Sequence, residues 1–147
     1  MSSITTAFIG AQIHDGRDLR DDHALVAHSG GSFTVQPQNT LPDGCPAITL
    51  DGGLIAPHFV DLQVNGGGGV MFNDDQSVDA LRIIAAAHAA TGTGAFLPTL
   101  ITDTPDRTRA AIDAVEQALA EDVTGIVGIH LEGPHLDPAK NGAHDAA

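Results

Sequence analysis

The sequence of 147 residues has no tryptophan or tyrosine and five phenylalanines, so any core it builds must be aliphatic. Cysteine is almost absent as well. With Cys45 alone, neither an internal disulfide nor a thiolate-rich metal site can form. Basic residues are scarce: 6 Lys and Arg oppose 19 Asp and Glu, a net charge of −13. A chain of that charge repels a nucleic-acid backbone and an anionic membrane surface, which excludes both as partners. No apolar run approaches the ~20 residues that span a bilayer. The opening MSSITT lacks the basic region followed by an apolar stretch that marks a secretory leader. These absences lead to the expectation of a cytoplasmic protein. What is present, a hydrophobic fraction of 42% together with abundant alanine and glycine, is the composition of a globular chain.

The chain changes character near residue 55. Residues 1–55 hold short β-leaning runs at 5–13, 24–28, 32–36 and 47–50. Turn residues such as Asp15-Gly16, Gly30-Gly31 and Pro42-Asp43-Gly44 separate them, a pattern that predicts a small antiparallel sheet. Residues 56–147 alternate apolar strand, loop and amphipathic helix, the signature of parallel βα units. The first strand is expected at 58–65, with Val60, Leu62 and Val64 on one face and Asp61, Gln63 and Asn65 on the other. A glycine run follows, and Ser77 is the expected cap of a helix to about Ala90 with Val78, Leu81, Ile84 and Ala85 on its apolar stripe. A second strand is expected at about 95–101. After it, Thr104-Pro105 opens a second helix whose apolar face would be Ala111, Ile112, Val115 and Leu119. A third strand, 125–132, alternates Val127, Ile129 and Leu131 with Gly128, His130 and Glu132.

Strands covered by helices in α/β proteins normally read as continuous apolar runs. The first and third strands instead carry polar groups on alternate positions and grow most polar at their C-terminal ends, where (β/α) barrels place active sites. Gln63, Asn65, His130 and Glu132 could therefore share one cavity. There a carboxylate and an imidazole could bind a divalent metal or act as acid and base. The same residues are also compatible with a buried hydrogen-bonded pair and with amides that satisfy strand-end backbone groups. Gly66 to Gly69 could admit a ligand or form a flexible turn, since the lysine of a P-loop is missing. His135 and His144 lie in a polar loop.

The segments LIAPHFVDLQVNGGGG, TGTGAFLPTLITD and above all GIHLEGPHLDPAKNGAHD resemble the N-terminal part of the N-acetylglucosamine-6-phosphate deacetylase family, within the amidohydrolase superfamily. The resemblance covers roughly residues 47–147. Two positions depart from it: His58 stands where the family usually has glycine, and Gly94 lies in a stretch usually richer in threonine. The fold it implies is an incomplete (β/α)8 TIM barrel of three strands, preceded by part of a small β-sandwich. The activity it implies is metal-dependent hydrolysis of N-acetylglucosamine 6-phosphate to glucosamine 6-phosphate and acetate. Carried over residue by residue, Glu132 is the metal ligand and His144 the sugar contact. Gln63 and Asn65 match a pair that replaces two histidines found elsewhere in the superfamily, and His130 takes a place behind the ligand. The cofactor implied is a divalent metal ion, whether zinc, iron, manganese or cobalt; the partner is a small amino-sugar phosphate, and the complete enzyme is expected to be a homodimer. The remaining metal-binding histidines and the base aspartate are expected beyond residue 147, so little turnover is expected from these residues alone. Another amidohydrolase acting on N-acyl or cyclic amides, and a non-catalytic sugar-phosphate-binding module, are the alternative readings.

Overall fold

The first β run of the computed structural model, β1 (Ile4–Ile9), stops at Gly10, and this single residue shapes the N-terminal unit. Gly10 has φ +85°, and a Cβ there would lie 2.4 Å from the Leu50 carbonyl oxygen, so no side chain fits. The chain resumes as β2 (Gln12–His14) and continues through β3 (Leu19–Arg20), β4 (His23–His28), β5 (Phe33–Pro37), β6 (Ala47–Thr49) and β7 (Leu54–Ile55). The structure describes residues 3–133, 136–140, 142 and 144. It divides into two compact units, Met1–Pro57 and His58–Ala147.

In the first unit the strands form two small sheets, ordered β5-β4-β1-β6 and β3-β2-β7. The expected antiparallel sheet is corrected to a mixed one: β6 pairs with β1, and β7 with β2, in parallel. The reason is a shared bend. Leu50 N–H donates to Ile9 O at 2.8 Å, Gly52 N–H to Gly10 O at 3.1 Å and Gln12 N–H to Gly53 O at 3.1 Å, so the second run follows the first around the corner. Gly52 and Gly53 turn with φ +78° and +87° beside Gly10. Ala7, Ala24 and Val26 form the buried centre, with Ile4, Ile9, Leu41 and Cys45 packed against them.

Asp15 builds the β2–β3 turn. Its Oδ1 accepts the N–H groups of Asp18 at 2.8 Å and Arg17 at 2.9 Å, and its Oδ2 accepts Arg20 Nε at 2.9 Å. The Asp18 amide, then the Arg20 guanidinium and the Arg17 amide, hold its carboxyl well below the usual carboxylate range.

The second unit runs β8 (Phe59–Val64), β9 (Gly66–Gly67), β10 (Val70–Met71), α1 (Val78–Ala89), β11 (Thr93–Ile101), α2 (Pro105–Ala120) and β12 (His130–Glu132). β8, β11 and β12 form a parallel sheet with β11 in the middle. Among the described residues the sheet has three strands and no barrel closes. Ser77 caps α1 by accepting the Ala80 N–H at 3.1 Å, and Thr104 caps α2 by accepting the Arg107 N–H at 3.3 Å, with Pro105 at the first helical position. Phe96, Leu100, Val64, Phe72, Leu81 and Ile84 make the core with an alanine seam from α2, and the expectation of an aliphatic core is corrected: Phe72 and Phe96, at 0% and 1% exposure, are among its largest buried side chains.

Three sequence expectations are corrected here. The buried face of α2 is Ala111, Ala114, Val115 and Ala118, while Ile112 is half-buried and Leu119 is 43% exposed. Small side chains let the helix pack closely, and the larger apolar residues fall off that seam. The third strand is shorter than 125–132. Gly125 has φ +93°, a single bridge joins Phe96 to Ile126, and regular pairing begins only at His130. In the first strand Val64 is 2% exposed but Val60 and Leu62 are 60% and 66% exposed, so the three do not share a buried face. The register explains this. Asp61 opposes Phe96 and Val64 opposes Pro98, so three steps on β8 match two on β11, a β-bulge that reverses the alternation.

The glycine run is a structural hairpin. Gly68 and Gly69 turn with φ +61° and +86° between β9 and β10, as a two-residue turn of this hand requires. A Cβ on Gly67 would meet the His88 ring at 3.0 Å and one on Gly68 would meet Ile83 Cγ2 at 2.7 Å. His88 in turn bonds Gly66 O through Nε2 at 3.0 Å and stacks on Phe96. His58 and Gly94 are close in space: a Cβ on Gly94 would lie 2.2 Å from His58 Cγ.

Two tests follow from this packing. Leu81→Ala is expected to lower unfolding free energy by about 3 kcal/mol and Leu119→Ala by less than about 0.5 kcal/mol, read by denaturant titration; equal effects would refute the assigned helix face. Because the Asp15 carboxyl is depressed in the folded state, its contribution is present above the ordinary aspartate value near 4 and is lost only as pH falls below that range. The Arg17 and Asp18 amide shifts are therefore expected to hold steady as pH falls through about 4, and to move in Asp15→Asn.

Candidate functional site

β12 places Glu132 at its C-terminal end, paired with Ile101 of the central strand. Gln63 comes from the far side of that strand, on β8. Its Nε2 donates to Glu132 Oε2 at 2.8 Å, so two long side chains meet above β11 across two interstrand spacings, about 10 Å. The β8 bulge makes this possible. Asp61 and Val64 share the helix-covered face with Phe96 and Pro98, which leaves Gln63 on the opposite face with Thr99, His130 and Glu132.

Thr102 follows the end of β11 and connects the two strand ends. Its hydroxyl lies 2.6 Å from Gly133 O and 2.9 Å from His144 Nδ1. A hydroxyl has one proton, and the carbonyl can only accept, so Thr102 donates to Gly133 and receives the N–H of His144 Nδ1. His144 Nε2 then faces Glu132 Oε1 at 3.6 Å, a contact that becomes an ion pair when the ring is protonated. Both side chains are half-buried. Asn73 clamps the end of β11 itself: its Oδ1 accepts Ile101 N–H at 3.0 Å, and its Nδ2 donates to Ile101 O at 3.2 Å and to Asp103 Oδ2 at 3.1 Å.

Of the residues singled out in the sequence, Gln63, Glu132 and His144 are brought together. His130 is not in that contact; its Nδ1 pairs with Thr99 Oγ1 at 3.2 Å. Asn65 contributes its backbone carbonyl to Phe72 N–H at 2.8 Å. His135 lies outside the described residues. Thr102 and Asn73 were missed by sequence reasoning. Thr102 was accessible to it, since it stands just past a strand end as Asn65 does; Asn73 acts on the Ile101 backbone groups and on Asp103 and leaves no pattern. A cavity of about 260 Å³ opens beside the cluster between the ends of β11 and β12 and the start of α2, lined in part by Leu100, Thr102, Pro105, Arg109, Leu131 and Glu132.

The donor chemistry bears on a metal. Among the described residues no group of three His, Cys, Asp or Glu side chains is arranged to hold a metal ion. A catalytic zinc needs three protein ligands. Glu132 offers one carboxylate, with Oε2 already held by Gln63, so these residues do not make a complete metal site.

No family model matches the chain. It is 49% identical over 102 residues to an N-acetylgalactosamine-6-phosphate deacetylase of Shewanella sp. (strain ANA-3), covering 69% of this chain and 26% of that protein. It is 36% identical over 138 residues to an N-acetylglucosamine-6-phosphate deacetylase of Haemophilus influenzae, covering 94% of this chain and 36% of that protein. The crystal structure of N-acetylglucosamine-6-phosphate deacetylase from Pasteurella multocida superposes with a TM-score of 0.87 at 35% identity over 95% of this chain and 37% of that one. A mutant of the Mycobacterium smegmatis enzyme in complex with N-acetyl-D-glucosamine 6-phosphate superposes with a TM-score of 0.78 at 28% identity, over 95% and 35% of the two chains. The chain thus spans about a quarter to two fifths of the length of these relatives.

The Thr102 link is directly testable. Thr102→Val keeps the shape and removes the hydroxyl, and is expected to cost about 1 kcal/mol and to change the His144 ring signals in a two-bond proton–nitrogen spectrum. An unchanged His144 spectrum would show that Thr102 does not hold the ring.

Proposed function

Because the chain corresponds to the N-terminal portion of the N-acetylglucosamine-6-phosphate and N-acetylgalactosamine-6-phosphate deacetylase family, we propose that it supplies one wall of the active site of such an enzyme. The observation that carries this reading is the convergence of Gln63, Glu132 and His144 at the C-terminal ends of parallel strands. This is the end at which barrel enzymes assemble their sites.

The reaction proposed is hydrolysis of the sugar acetamide: water adds to the carbonyl carbon, the C–N bond breaks, and a proton passes to the leaving amine, giving acetate and the amino-sugar phosphate. Glu132 would supply one donor to a divalent metal in a larger set. Gln63 keeps the Glu132 carboxylate oriented by donating to one of its oxygens, and Thr102 holds the His144 ring where a sugar hydroxyl or acetamide could reach Nε2. Asn65 and His130 sit one step back, on backbone and Thr99 contacts. N-acetylglucosamine 6-phosphate is the substrate proposed. The relative with 49% identity favours N-acetylgalactosamine 6-phosphate as the second reading.

A chimera decides between them. This chain would replace the matching segment of the Haemophilus influenzae relative, and acetate release would be measured from each sugar phosphate with a divalent metal present. Release from N-acetylglucosamine 6-phosphate is expected, falling at least ~100-fold in Glu132→Gln. Undiminished release in that variant would remove Glu132 from the reaction.

A further inference from the structure

We infer that Asp61 is a positioning residue of this site: its carboxylate holds the β8 bulge that aims Gln63 at Glu132. Its importance to catalysis rests on the reading of Gln63 and Glu132 as site residues; its geometry does not. Leu62 and Gln63 together occupy the place opposite the single residue Leu97, because Asp61 pairs with Phe96 and Val64 with Pro98. A bulge of this kind removes backbone groups from the ladder, and a displaced N–H needs an acceptor. The Phe96 N–H and C=O bond Gly125 O and Val127 N–H on the β12 side, so backbone groups face β8 from the alternate residue Leu97, the one opposite the bulge. The Gln63 N–H turns to Asp61 Oδ1 at 3.0 Å, so the side chain of Asp61 replaces the lost backbone partner.

The consequence appears two bonds further on. Without the extra residue, Gln63 would share a face with Asp61, the face covered by the helices. With it, Val64 enters the core at 2% exposure and the Gln63 amide stands on the open face, 2.8 Å from Glu132 Oε2. One hydrogen bond to a backbone amide thus fixes which way Gln63 points.

Nuclear Overhauser contacts in the 147-residue chain read this directly. A contact between the Gln63 side-chain amide and the Glu132 γ protons is expected in the parent and in Asp61→Asn, whose side-chain oxygen still accepts the Gln63 N–H. It is expected to be lost in Asp61→Ala while the contacts between β11 and β12 remain. Its persistence in folded Asp61→Ala overturns the inference; if that variant does not fold, loss of the contact in Asp61→Asn overturns it instead. In the deacetylase chimera, Asp61→Ala is expected to lower acetate release about tenfold or more and Asp61→Asn to restore it. Equal release from Asp61→Ala and parent would also overturn the inference. An inactive parent chimera would count against the deacetylase reading alone, and the nuclear Overhauser contact would then decide the role of Asp61 by itself.

Discussion

Burial of the central strand β11 is the constraint on which the second unit depends. Phe96, Pro98 and Leu100 of this strand are buried on the face that α1 and α2 cover, and Thr99 is fully buried on the other. A parallel strand in this position needs both neighbours, because its N–H and C=O groups cannot reach water. β8 and β12 satisfy that demand from opposite sides. In doing so they bring Gln63 and Glu132 to the same height above the sheet, so the contact between those side chains follows from the pairing that the core requires.

Around β11 the polar groups act chiefly on the backbone. Asn73 mimics a strand at the Ile101 edge, Asp61 completes the bulge of β8, and Thr102 joins the end of β11 to the Gly133 carbonyl. Each supplies a hydrogen-bond partner at a point where regular pairing stops. The strand ends are held in register, and the side chains that leave them have defined directions.

Signals that act within one short segment were legible in the sequence. Ser77 and Thr104 cap their helices where the pattern placed them, and of the two readings left open for the glycine run the turn is the one found, as a hairpin at Gly68-Gly69. Relations between segments were hidden. The bulge on β8 exists only in its register against β11, a different strand, so period-two counting over Val60, Leu62 and Val64 had no means of detecting it. Counting also favoured the bulky residues of α2, Ile112 and Leu119, over Ala114 and Ala118, although close packing selects the small ones. In the first unit the parallel pairings arise from two bends that meet, at Gly10 and at Gly52-Gly53, some forty residues apart in sequence. For the site, Gln63, Glu132 and His144 were named from strand ends and motif. Thr102, which touches His144, was not.

The His58 ring occupies the volume that a side chain at position 94 would fill. The two positions are therefore coupled although 36 residues separate them: a side chain at position 94 displaces the His58 ring or shifts the start of β8, whereas a smaller residue at position 58 leaves room for it.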